Sequence, residues 1–388
     1  MIAVNNSRTW LERMMKSVVM SWMIIILMWS TSVAQSPAPD SGLVTIKQVS
    51  CTPVKNQAST GTCWSFSTTS LIESQTIKNG FGSFDLSEMF TVRNIYKEKA
   101  RNYILRQGAA QFGAGGLGHD VIRAVATYGA MPESVYSGLT LDQKFHNHAA
   151  LDGKLKSYLD SLLRSRPIPA DWMKGFEVIM DDHLGKVPET FTYQEKQYTP
   201  RTFATDVLHF SANDYVNITS YAHHPFYTSF ILETSDNFLN GSYYNVPLNE
   251  LIRLTERAVE SGYTVMWDAD VSNKGFRQKD GYAMYWKDAN SIPRVLTPDD
   301  KESPYDQTIR QSLYENLTTQ DDHLMHIVGL ERSKGGKFFF LVKNSWGEVG
   351  PFKGFIHVSE AYFAINTISL VLPKAALDNA LQSKISVE

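Results

Sequence analysis

Residues 54–67, Val-Lys-Asn-Gln-Ala-Ser-Thr-Gly-Thr-Cys-Trp-Ser-Phe-Ser, restrict this chain more than any other stretch. A turn-rich segment ends in a cysteine, and an amphipathic run begins directly behind it. Trp64, Phe66, Leu71, Ile72 and Ile77 give that run an apolar face at roughly helical spacing. Cys63 therefore falls at a helix N-terminus, where the macrodipole and free backbone N–H groups favour a thiolate. A lone cysteine can equally be a small buried apolar residue. What separates the two readings lies far downstream, in Asp322-His323-Leu324-Met325-His326 and Lys343-Asn344-Ser345-Trp346-Gly347. A nucleophilic thiol needs a base, and the base needs a group that holds its ring. An early Cys followed by a late His and then an Asn supplies all three.

Length and charge leave room for such an enzyme and exclude other classes. The chain has 388 residues, 43% hydrophobic and 20% charged, with a formal net charge of −3. That balance carries no basic patch of the kind nucleic acid requires. At the N-terminus, Lys16 precedes an apolar run from Val18 to Trp29, and Ser32-Val33-Ala34 offers a small-x-small cleavage site. Residues 1–34 read as a signal peptide, with Met15 as an alternative start. The apolar run is short against the roughly 20 residues of a membrane span. The mature protein is expected to be exported, periplasmic or extracellular, without stable membrane association.

The spacing Gln57-x5-Cys63-Trp64 and the run Asn344-Ser345-Trp346-Gly347 resemble the signatures of papain-superfamily cysteine peptidases. Within that superfamily the chain is similar to the bleomycin hydrolase-like, aminopeptidase C-like branch. The resemblance implies an α+β, papain-like two-lobed fold, with a helical N-terminal lobe and an antiparallel, barrel-like C-terminal lobe. It implies Cys63 as nucleophile, His323 as base, Asn344 as the orienting amide, and Gln57 in the oxyanion hole. His323 is preferred to His326 because six residues separate it from Gly329, as in the family. On a strand, positions i and i+3 face opposite ways, so both cannot point at one sulfur. Trp346 would shield the Asn–His bond, with Trp64 beside the nucleophile. Gly115 and Gly116 match the place where substrate backbone lies along the cleft wall.

No metal or organic cofactor is implied, and the expected partners are peptide or protein substrates. The branch implies trimming from the peptide N-terminus, with the tail at 375–388 blocking part of the cleft and its carboxylate gripping a substrate ammonium. An open-cleft endopeptidase is the alternative. The branch also includes hexameric rings, which leaves hexamer and monomer both open for this shortened chain. One departure concerns cysteine: secreted papain-type enzymes usually carry one three residues before the nucleophile, where this chain has Thr60. No structural disulfide is expected between Cys51 and Cys63, and Cys51 reads as a buried small residue.

The remaining segments read as scaffold. One papain-like domain spans 35–388, interrupted from about 138 to 206 by a helical insertion with Leu151, Leu155, Leu159 and Leu162 in register. The histidines at 146, 148, 183, 223 and 224 read as surface residues rather than metal ligands. His119 and Asp120 read as surface or capping residues, and Glu88 as structural. Two other classes remain: a non-catalytic binding protein on the same scaffold, which would usually have lost Cys or His, and a transglutaminase-like acyltransferase, which typically orients its His with Asp.

Overall fold

The computed structural model describes residues 40–385, so the segment read as a signal peptide lies outside the described residues. Strand β1 (Leu43–Gln48) leads through the turn-rich loop into helix α1 (Cys63–Lys78). Helix α2 (Glu88–Leu105) starts where Ser87 Oγ accepts the Phe90 N–H at 3.0 Å. The glycine-rich loop then opens α3 (Gly118–Tyr128), whose first turn is capped when Asp120 accepts the Leu117 N–H at 3.1 Å.

Residues 138–206 hold α4 (Ala149–Arg164), α5 (Trp172–Leu184) and α6 (Pro200–Asp206). They also hold a hairpin of β2 (Phe191–Tyr193) and β3 (Lys196–Tyr198), absent from the helical expectation. Leu151, Leu155, Leu159 and Leu162 form the buried stripe of α4. They join Phe176, Met180 and Leu184 of α5 in the same cluster as α1 to α3, so these residues extend the helical core.

The C-terminal part continues through β4 (Tyr215–Thr219), β5 (Ser229–Ile231), β6 (Ser242–Asn245), α7 (Leu248–Glu260), β7 (Val265–Ala269), β8 (Phe276–Arg277) and β9 (Tyr282–Ala283). It ends with α8 (Gln307–Glu315), β10 (His323–Ser333), β11 (Phe338–Lys343), β12 (Phe355–Ser359), α9 (Glu360–Asn366), β13 (Thr367–Pro373) and α10 (Asn379–Ile385). The sheet runs β5-β6-β4-β13-β7-β10-β11-β12-β9-β8, with β1 paired to β10. It is mostly antiparallel and its outer strands do not meet, so the barrel-like half is an open sheet. Among the described residues, no helix is long and apolar enough to cross a membrane.

Alternation along the central strands divides the core. Met266, Leu324 and Val371 face the helical cluster, while Val265, Trp267, Met325, Leu370 and Leu372 face a second cluster covered by α7. Helix α1 lies on the first face. It is not the half-exposed amphipathic helix that the apolar spacing suggests, because its Ser and Thr positions are buried too. Ser65 Oγ donates to Glu88 O at 2.9 Å and Ser67 Oγ to Trp64 O at 3.3 Å, which lets small polar side chains enter the interior.

A buried polar chain fastens α1 to the sheet. Lys343 Nζ donates to Ser70 Oγ at 2.8 Å and to Thr52 Oγ1 at 3.0 Å. The Ser70 hydroxyl lies 2.8 Å from His326 Nδ1, and Thr52 Oγ1 donates to Glu73 Oε2 at 2.5 Å. Glu73 Oε1 also accepts the Leu86 N–H at 2.8 Å. Replacing Glu73 by Leu strands these donors and removes the strongest negative charge acting on the buried Lys343. We expect Glu73→Leu to cost about 3–5 kcal/mol in urea unfolding. The exposed Glu189→Leu should stay within about 0.5 kcal/mol of the parent, and similar losses for both would show that the chain does not hold α1.

Candidate active site

Cys63 is the first residue of α1 and is 8% exposed. The loop before it is zipped to the segment after β11. Gln57 N–H donates to Ser345 O at 2.8 Å, Asn56 bridges Trp346, and Gly347 N–H donates to Lys55 O at 3.0 Å. On the other side β10 brings the Leu324 backbone N–H to the Cys63 sulfur. The preceding residue, His323, is 4% exposed and donates from Nε2 to Asn344 Oδ1 at 2.7 Å. That bond leaves Nδ1 as the nitrogen available to sulfur. The Trp346 ring lies 4.7 Å from the His323 ring at 31°, and Phe276 meets Trp346 edge-on at 5.9 Å. The His–Asn bond is therefore roofed by aromatic surface.

Gln57 is placed to donate into the same space. Its Oε1 accepts from Ser345 Oγ at 2.5 Å and one Nε2 hydrogen goes to Thr60 O at 2.8 Å. The second Nε2 hydrogen is left for an oxyanion. Trp64 Nε1 donates to Ala114 O at 2.8 Å, tying the glycine loop to α1. A Cβ on Gly116 would sit 2.9 Å from the Trp64 ring, and one on Gly115 would collide with the Asp236 carboxylate. At Gly116 the buried ring would have to move, whereas at Gly115 the Asp236 carboxylate would have to swing aside. The Gly115 carbonyl is already engaged by Lys99 Nζ.

Burial governs the charges. It pushes the Cys63 thiol up to about 12, helped by Asp321 and Asp268 and opposed by the Leu324 and Trp64 backbone N–H groups. It pushes the His323 imidazole down to about 4, with the Asn344 bond pulling the other way. The helix N-terminus is thus outweighed by desolvation when each group is taken singly. A thiolate arises here only when the thiol proton passes to His323, so that each new charge compensates the other.

Sequence reasoning missed one member of this constellation. Asn344 Nδ2 donates to Gln278 Oε1 at 2.9 Å, and Gln278 Nε2 reaches Phe355 O at 3.3 Å. Gln278 lies in no recognisable motif, and only the fold brings it to Asn344. Other positions differ from expectation. His148 and His119 are buried rather than at the surface, with His119 Nδ1 2.8 Å from the Tyr243 hydroxyl. Cys51 is a half-buried free thiol rather than an enclosed one. His326 faces Ser70, away from the sulfur.

His223 and His224 converge on Glu233 at 3.2 and 2.6 Å, the one grouping of three metal-ligating side chains among the described residues. Gln311 Nε2 donates to His223 Nδ1, which places that ring's proton on Nε2 facing the carboxylate, so the grouping is satisfied as hydrogen bonds. The described part of the tail packs Leu381 and Ile385 into the cluster under α7, on the sheet face opposite α1. It does not line the site.

Two outcomes follow from this geometry. Gln278→Leu should lower kcat about 10-fold with little change in KM, since one buried hydrogen bond to the orienting amide is lost; an unchanged kcat would remove Gln278 from the site. Alkylation of Cys63 by iodoacetamide should persist well below the ordinary histidine range. Below about pH 4 a protonated His323 can no longer take the thiol proton, so the rate should fall there. A midpoint near 6.5 would contradict the buried pair.

The profile of the peptidase C1-like family matches residues 179–388, and that of papain family cysteine protease matches 39–102. Aminopeptidase G of Lactobacillus delbrueckii subsp. lactis is 25% identical over 391 residues, covering 86% of this chain and 83% of that protein. Aminopeptidase C of Streptococcus thermophilus is 24% identical over 373 residues, covering 83% and 80%. Human bleomycin hydrolase is 21% identical over 372 residues, covering 83% and 80%. The crystal structure of PepW from Lactobacillus rhamnosis has the same fold, with a TM-score of 0.68, 21% identity, and 91% and 86% of the two chains covered. With more than half its length matched by one family's pattern, this chain belongs to the peptidase C1-like family.

Proposed function

We propose that this chain is a cysteine aminopeptidase in which Cys63 is the nucleophile. The observation that carries the reading is the convergence of Cys63 at the start of α1, His323 tied through Nε2 to Asn344, and the Gln57 amide beside them. Relatives bearing the name aminopeptidase over most of their length support the direction of trimming.

His323 Nδ1 takes the Cys63 proton as sulfur attacks the scissile carbonyl carbon. The oxyanion is met by the remaining Gln57 Nε2 hydrogen and the Cys63 backbone N–H, where one such donor typically contributes about 2.7–4 kcal/mol. His323 then returns its proton to the leaving amine, and the C–N bond breaks to leave a thioester. Water, deprotonated by the same imidazole, attacks the thioester and restores the thiol. Asn344 holds the ring in one tautomer throughout, and Gln278 holds Asn344.

The deciding experiment follows products by mass spectrometry from a peptide with a free N-terminus and from its N-acetylated twin, with Cys63→Ala as control. Stepwise loss of N-terminal residues from the free peptide alone is expected. Internal cuts in both would make the enzyme an endopeptidase, and turnover by Cys63→Ala would exclude this chemistry. We also read the chain as exported, on the pattern of residues 16–34. N-terminal sequencing of the cell-free protein should then begin at Gln35, and a start at Met1 or Met15 would refute cleavage.

A further inference from the structure

Strands β5 and β6 pair antiparallel with Ile231 opposite Ser242, where a turn of about two residues would close the hairpin. Residues 232–241 connect them instead, and the chemistry above uses none of this segment. The segment holds its own shape through Asn237, which is 6% exposed. Asn237 Oδ1 accepts the Gly241 N–H at 2.6 Å, and Nδ2 donates to Leu232 O and Gly241 O, both at 2.9 Å. Every bond that a flexible loop would give to water is here made within the protein.

The segment is fastened on both sides of Cys63. On the helical side, the Asp236 carboxylate lies against Gly115 and accepts from Gln111 Nε2 at 3.1 Å. Asn102 Nδ2 of α2 donates to Phe238 O at 3.5 Å, and the buried Phe238 ring joins the helical cluster, 5.3 Å from the Lys99 ammonium. The glycine loop gripped in this way borders the nucleophile, since Gly116 abuts the Trp64 ring and a Cβ on Gly61 would sit 3.0 Å from Ala114. On the sheet side, Thr234 Oγ1 donates to Asp321 Oδ2 at 2.8 Å, two residues ahead of His323. The Tyr314 hydroxyl of α8 donates to Glu233 O at 2.6 Å, and the Glu233 carboxylate meets His223 and His224. The segment is therefore a strap from the glycine loop to the approach of β10. Cys63 lies between those two anchor points, beside the glycine loop through Trp64 and beside β10 through the Leu324 N–H.

A peptide whose carbonyl sits at Cys63 has to continue on both sides of the scissile bond. Its leaving amine must face His323, whose ring lies under Trp346 beside the clasp with the Gln57 loop. The acyl part therefore runs toward the glycine loop, where each further extended residue needs about 3.3 Å of free length. The strap occupies that path. We propose that residues 233–240 are the stop that confines cleavage to the first bonds of a peptide, by excluding any longer chain on the acyl side. This rests on the reading of Cys63 as a peptidase nucleophile, and it names the element that sets where that peptidase cuts. Exclusion by a fixed segment is specificity by clash, and a well-anchored strap supplies it without moving. The described part of the tail lies on the opposite face of the sheet, so the limit on chain length comes from this connection between β5 and β6.

The test compares the full-length protein with two variants. In one, residues 233–240 are replaced by Asn-Gly, which closes the β5–β6 hairpin and keeps Leu232 in its apolar cluster. In the other, Asn237→Ala removes the bonds that hold the strap's shape. Cut positions are read by mass spectrometry on a long peptide with a free N-terminus and on its N-acetylated twin. The parent should release only short N-terminal pieces. The shortened variant should cut internal bonds of both peptides, with kcat/KM for those bonds raised about 10-fold or more, since misfit of a single methylene is already worth that much. Asn237→Ala should show the same internal cuts at a lower rate. New cuts of this kind cannot come from a damaged fold, which only loses activity. Unchanged cut positions in the shortened variant would overturn the strap and leave the peptidase reading standing, as would internal cuts by the parent. Equal losses on both peptides would mean that the segment only supports the site, and would overturn the proposal too. If the shortened variant does not fold, Asn237→Ala carries the same comparison. Turnover by Cys63→Ala sinks the peptidase reading itself.

Discussion

Everything at the site depends on α1 lying flat against β7 and β10. Cys63 is on the helix and His323 is on the strand, so their meeting is a packing event between the helical core and the sheet. Apolar contact alone would let a helix slide along a strand by a turn at little cost. The Thr52–Glu73 and Lys343–Ser70–His326 bonds remove that freedom, because each donor finds its acceptor in one register only. A second clasp joins the loop before Cys63 to the segment after Asn344, through Gln57 to Ser345 and Lys55 to Gly347. With Cys63 and His323 fixed from both ends, the groups proposed to react are aligned before any substrate arrives.

The same packing sets the electrostatics. A thiol and an imidazole enclosed this deeply are both driven toward their neutral forms. Their chemistry therefore rests on exchange of one proton between them rather than on a thiolate held by the helix dipole. Asn344, braced by Gln278 and roofed by Trp346, keeps the imidazole in the tautomer that can receive that proton. The negative charges of Asp268 and Asp321 work against the thiolate.

Much of the site was legible along the chain because its chemistry is written in short local patterns. Cys63 at a helix start, His323 opening a strand and Asn344 closing one can each be read from a few neighbours, as can the leucine stripe of α4. Gln278 and Asp236 could not be read, since each sits in a loop whose neighbours say nothing of what it will touch. The histidines fared unevenly for the same reason. A histidine's burial depends on what packs over it, so His119 and His148 are interior while His223 and His224 pair with Glu233 at the edge. The openness of the sheet was likewise beyond local pattern, because strand alternation is the same in an open sheet and a closed barrel.

By itself the sequence determined most of the helices and central strands and where Cys63, His323 and Asn344 lie on them, because helix starts, strand alternation and residue type are local properties. Only the tertiary structure decided which polar groups meet. It placed Gln278 behind Asn344, packed the described part of the tail on the far face of the sheet, and brought Asp268 and Asp321 from separate segments near the sulfur. Those pairings are set by how the α1 and α7 faces pack on the sheet, and burial, which fixes the charge of every group in the site, has no value until that packing is complete.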